Sequence, residues 1–194
     1  MGKSRLEAFS DGVIAILITI MVLELKVPEG AQFRSLIPVI PLFLNYALSF
    51  IYLGIYWNNH HQLLHACNRV TGAILWANLH LLFWLSLIPV TTAWMSENHN
   101  AAAPSALYGA DLLMAAIAYF LLEQLIIVSQ GHDSLLKRAL GRDLKGKLSP
   151  ALYLSAIVAA FWSPLVSQCI YLLVALLWMI PDRRIERVVS DSRE

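Results

Sequence analysis

Three stretches of the chain contain no Asp, Glu, Lys or Arg: Ser35–Asn68, Val70–Ser96 and Leu148–Pro181. A bilayer core is crossed by about 20 consecutive apolar residues, so each stretch can span a membrane at least once. With two further apolar segments, the pattern predicts six spans, at about 6–25, 36–57, 70–95, 105–129, 148–163 and 165–180. The first ends before the breaker cluster Lys26-Val27-Pro28-Glu29-Gly30, and the second has Pro38 and Pro41 near its start. The last two come from one apolar run, Leu148–Ile180, whose 33 residues exceed an ordinary span. Ser163-Pro164 lies near its middle, where proline removes a backbone donor and clashes with the preceding turn. A single kinked span is the alternative.

The cationic residues favour six. Lys3, Arg5, Arg69, Lys137, Arg138, Arg142, Lys145, Lys147, Arg183, Arg184, Arg187 and Arg193 fall on one side of a six-span topology, and only Lys26 and Arg34 on the other. The side rich in Lys and Arg is the cytoplasmic one, which places both termini there. One crossing of 148–180 would put the four tail arginines outside. The run Lys137–Lys147 reads as part of this bias, and it could also touch anionic lipid.

Composition agrees with the pattern. Hydrophobic residues make up 58% of the 194 and charged residues 14%, with mean hydropathy +0.62, whereas soluble domains run at about 45–50% and about 25%. A net charge of +1 points to no nucleic-acid partner. Cys67 and Cys169 make neither a disulfide framework nor a cysteine metal motif. Leu6 stands where a myristoylation signal has Ser or Thr, and no small-residue cleavage site follows Val13–Leu25, so the first span is expected to be retained. The expectation is an all-α polytopic membrane protein with one six-helix unit over 1–194.

Ionisable side chains at membrane depth are costly and should face protein or a water path. Candidates are Asp11, Glu24, Asp111, Glu123 and His80, with Asn45, Asn78 and Gln168 as uncharged polar groups. On the first span Gly12, Ile16, Thr19, Ile20 and Leu23 form one stripe at i, i+4, i+7, i+8 and i+11. Such a stripe either packs on neighbouring helices or, repeated around the axis of an oligomer, becomes a stack of rings. Apolar rings can gate a pore by dewetting. The sequence has no Thr-Val-Gly-Tyr-Gly carbonyl filter.

The start of the first helix, Arg5-x-x-x-Phe9-Ser10-Asp11-Gly12-Val13-Ile14-Ala15-Ile16, resembles the signature of the transmembrane protein 175 family, lysosomal potassium channels and their bacterial relatives. Tyr56-Trp57-Asn58-Asn59-His60-His61 at the end of the second helix agrees in outline. The resemblance implies a potassium-permeable cation channel, with a central pore lined by the first helix. The animal proteins have two six-helix repeats and this chain one, so it also implies a homotetramer. It maps the hydrophobic constriction to Ile16, a threonine layer to Thr19, and outer constrictions to Ile20 and Leu23. It gives Arg5, Phe9, Ser10 and Asp11 a structural role: Asp11 would bond neighbouring helices and fix the first helix's angle. The competing reading is an exposed Asp at a helix N-terminus, favoured by the dipole. No cofactor is expected, and potassium enters as the permeant ion. The resemblance further implies a multi-pass protein of the cell membrane, bacterial and inner.

Other constellations carry less. His60, His61 and His65 include an i, i+4 pair without the Glu of a His-Glu-x-x-His motif, so no metal is expected; protonation there could still modulate gating. Gly54 and Gly72 read as close-packing sites, and Trp57, Trp94 and Trp178 as interface anchors. Asp111 is placed near the outer membrane surface. The alternative function is a proton- or cation-coupled transporter with Asp111, Glu123 and His80 as a relay; no enzyme motif is found.

Overall fold

The computed structural model describes residues 2–130 and 144–179. It contains six α-helices: α1 Lys3–Met21, α2 Ile40–His65, α3 Gly72–Glu97, α4 Ala102–Ser129, α5 Leu144–Ala160 and α6 Pro164–Met179. Short 3-10 turns cover Val22–Glu24 and Phe33–Val39, and no strand occurs among the described residues. Most of the basic run 137–147 and all of the tail's arginines lie outside the described residues.

Local chemistry sets the boundaries. Pro38 sits in the 3-10 turn before α2, and Pro41 occupies its first turn, where a missing N–H costs nothing. Thr71 caps α3 by accepting from the Ile74 N–H at 3.3 Å. α5 ends at Ala160 and α6 begins at Pro164, so the long apolar run is two helices that pack on each other. Their 17 and 16 residues give lengths of about 25 Å, short of the roughly 30 Å hydrocarbon core. α1–α4 are each long and apolar enough to cross on their own. α2 runs eight residues past the expected end at Trp57, to His65, because nothing in Asn58–His65 is a helix breaker.

α4 packs on α3, α5 and α6, while α2 touches α3 and α6. α1 lies at the edge of this bundle and packs mainly on α2 and α3. The centre is rich in tyrosine: Tyr52, Tyr108 and Tyr171 are fully buried and their hydroxyls are engaged. Tyr52 donates to the Tyr171 carbonyl at 2.6 Å, Tyr171 to the Ser105 carbonyl at 2.9 Å, and Tyr108 pairs with Ser49 at 2.9 Å.

The close approach falls at Gly109 on α4 rather than at Gly54 or Gly72. A Cβ at Gly109 would strike the Tyr171 hydroxyl and Ile157, whereas at Gly54 or Gly72 nothing lies within 4 Å. Gly109→Ala is therefore expected to lower stability by about 1–3 kcal/mol through overpacking, and Gly54→Ala to leave it unchanged or slightly raised. Thermal unfolding of the two variants in detergent checks this; equal midpoints would contradict the packing described.

Candidate functional site on the first helix

α1 divides cleanly into two faces. Leu6, Ser10, Ile14, Leu17 and Met21 are buried against α2 and α3. On the opposite side Gly12, Ile16 and Thr19 are exposed, with Ile16 at 57%, Ile20 at 43% and Leu23 at 79%. The stripe read from periodicity is thus a face left exposed by the described helices of the same chain. Leu23 departs from the α-helical wheel, because α1 ends at Met21 and Leu23 sits in the following 3-10 turn, where residues advance by three per turn. The Thr19 hydroxyl lies within bonding distance of the Ala15 and Ile16 carbonyls, at 3.1 and 2.9 Å. Donating its proton there leaves the oxygen's lone pairs free to accept from the open side.

The cytoplasmic half of α1, as the charge bias orients it, is tied to both neighbours. Asp11 Oδ1 accepts from Trp57 Nε1 of α2 at 3.0 Å. Ser10 Oγ donates to the Leu6 carbonyl at 2.9 Å and accepts from Asn78 Nδ2 of α3 at 3.0 Å. Asn78 Oδ1 in turn meets His60 Nε2 at 2.6 Å, and Ser10, His60 and Asn78 are all buried. Lys3 donates to the His65 carbonyl at 2.6 Å and faces Glu7 at 4.0 Å. Asp11 is the ninth residue of a helix that starts at Lys3, beyond the first turn where the dipole acts, so the competing dipole reading fails.

Arg5 and Phe9 are exposed, on the same side as the stripe, and the Arg5 side chain has no hydrogen bond or ion pair among the described residues. At the other end, Lys26 Nζ meets Glu97 Oε1 at 2.6 Å, joining the segment after α1 to the end of α3. The hydrogen bond that Lys26 donates to Glu97, then the charge of Glu97, hold the ammonium above its ordinary range. Beside this pair lies a cavity of about 560 Å³ bordered by Glu24, Glu29, Ser96 and His99.

The remaining expectations sort as follows. The three histidines are not one cluster: His60 turns inward to Asn78, while His61 stacks between Trp57 and His65 with ring centroids 6.3 Å apart on each side. No group of three or more His, Cys, Asp or Glu among the described residues could hold a metal ion. Trp57 does more than anchor at an interface, since its indole N–H holds Asp11, and Trp178 donates to Ser149 Oγ at 2.8 Å. Asp111 is buried inside the bundle. Of the three residues offered as a relay, Asp111 Oδ2 lies 3.0 Å from Thr91 Oγ1, His80 accepts from Trp84, and Glu123 lines a cavity with Tyr56 and Tyr153. Sequence reading named Asn78 only as a polar group in a span; no spacing rule revealed that it joins Ser10 to His60.

Six apolar helices around a tyrosine-rich centre, with a bare stripe on a peripheral helix, define a multi-pass helical membrane protein. The family described as endosomal/lysosomal potassium channel TMEM175 matches residues 5–89. A potassium channel of Chryseobacterium sp. (strain P1-3) is 54% identical over 192 residues, 99% of this chain and 100% of that one. A potassium channel of Streptomyces collinus is 35% identical over 125 residues, 60% of this chain and 61% of that one. The crystal structure of a lysosomal potassium-selective channel TMEM175 homolog from Chamaesiphon minutus superposes with a TM-score of 0.77 at 28% identity, covering 93% of this chain and 97% of that one. The chain belongs to the TMEM175 family, which is a family of ion channels and not of enzymes.

Proposed function

We propose that this protein is a potassium-permeable channel formed by four copies of the chain, with α1 of each copy lining a central pore. The observation that carries the reading is the uncovered stripe of Gly12, Ile16, Thr19, Ile20 and Leu23 on a helix at the edge of the subunit. Around a symmetry axis each position becomes a ring. Rings of Ile16, Ile20 and Leu23 expel water when narrow and admit a partly hydrated cation when wide. An aliphatic ring supplies no oxygen ligand, so it favours the ion that sheds water more cheaply, potassium over sodium. The Thr19 ring, with lone pairs turned outward, replaces part of the water lost. Selectivity of this kind is weaker than that of a carbonyl filter.

The bonds from Trp57 to Asp11 and from Asn78 to Ser10 set the tilt of α1, and hence the diameter of the rings. The cationic bias places both termini in the cytoplasm, and the membrane is a bacterial inner membrane. The test is planar-bilayer recording of the purified protein between potassium and sodium solutions, with the oligomer counted by native mass spectrometry. Discrete current steps reversing toward the potassium potential, from a tetramer, are expected. Ion-gradient-driven uptake without current steps would instead indicate a coupled transporter.

A further inference from the structure

Asp111 belongs to no part of the proposed ion path. Its side chain is 3% exposed, on α4 at the contact with α3. An ionised carboxylate offers about four acceptor sites. Here Oδ2 has Thr91 Oγ1 at 3.0 Å, while Oδ1 is buried without a hydrogen-bond partner. The titratable groups that feel its charge are tyrosines, Tyr56 from α2 and Tyr108 from α4 itself. α3 contributes the Thr91 hydroxyl, and no Lys, Arg or His among the described residues acts on the carboxyl.

The Thr91 hydroxyl has one proton and three oxygens within reach: Leu87 O at 3.2 Å, Ile88 O at 3.2 Å and Asp111 Oδ2 at 3.0 Å. If it serves its own helix, as Thr92 does toward Ile88 at 2.6 Å, the Thr91–Asp111 contact needs its proton from the other side. A charge buried without a cation costs several kcal/mol, whereas a neutral acid makes that contact as a donor and leaves one carbonyl-like oxygen unbonded.

We propose that Asp111 is a buried proton-binding site: its neutral carboxyl donates Oδ2–H to Thr91 Oγ1, and Thr91 donates to the carbonyls of α3. The proton joins α4 to α3, and α3 is the helix whose Asn78 holds Ser10 on α1. Its release to solvent at alkaline pH leaves a buried charge at that joint.

The test uses the full chain in lipid and needs no current. Infrared spectra at neutral pH are expected to show a protonated-carboxyl band that is lost in Asp111→Asn and weakens reversibly toward alkaline pH. Asp111→Asn, the neutral isostere, should fold as the parent does. In Thr91→Val, which keeps the shape but removes the acceptor, the band should move in frequency. Absence of any Asp111-dependent band at neutral pH, or failure of Asp111→Asn to fold while the parent does, would overturn the proposal.

Discussion

Ile16→Asn is expected to raise potassium current by at least about tenfold and to reduce the preference for potassium over sodium. Ile16 is the most exposed of the stripe's large residues within α1 itself, at 57%. In a tetramer the substitution replaces four aliphatic tips with four amides that hold water in the constriction. Lowering the barrier by about 1.4 kcal/mol gives the tenfold change. The same polar ring serves either ion, so the reversal potential under bi-ionic conditions should move toward zero. Thr19→Val provides the contrast, because it removes only the outward lone pairs and should reduce current. Comparing the two shifts in reversal potential shows which ring governs selectivity. If Ile16→Asn leaves both current and reversal potential at parental values, Ile16 does not line the pore.

Asn78→Leu is expected to cost about 2–4 kcal/mol of stability and to reduce the fraction of assembled oligomer. Asn78 bridges Ser10 and His60 in a buried site. A leucine there fills the space but leaves the His60 ring and the Ser10 oxygen without that partner, and each buried polar group left unpaired costs about 1–3 kcal/mol. Adding His60→Leu should recover part of the loss, with a coupling energy of about 0.5–3 kcal/mol in the double-mutant cycle. Unfolding curves and size-exclusion profiles in detergent measure both effects. A loss that is strictly additive would mean that His60 and Asn78 do not act together.

The architecture was legible because membrane spans follow from local composition. Charge-free runs located the helices, Pro164 divided the last run, and the stripe on α1 emerged from period alone. Leu23 moved off the wheel because a 3-10 turn begins after Met21, a change of pitch that apolar residues do not announce. α2 continues past the span expected to end at Trp57, because hydropathy marks the membrane's edge, not the helix's end. What sequence could not supply was pairing between helices. Trp57 with Asp11, Asn78 with Ser10 and Thr91 with Asp111 are separated by 46, 68 and 20 residues, and their meeting depends on packing that no spacing encodes. Gly109 was overlooked for the same reason, since Ile157 and Tyr171, far along the chain, are what make its missing Cβ matter.

The aliphatic character of the bare face has a consequence for biogenesis. Gly12, Ile16, Ile20 and Leu23 present nothing that hydrocarbon rejects, and the hydroxyl of Thr19 is internally bonded. A newly inserted subunit can therefore remain alone in the bilayer with this face turned to acyl chains. Helices inserted independently and associating afterwards is the usual order for membrane bundles. A wall of charged or carbonyl ligands would make each unpaired subunit a liability, whereas this one exchanges lipid for water only when its neighbours arrive.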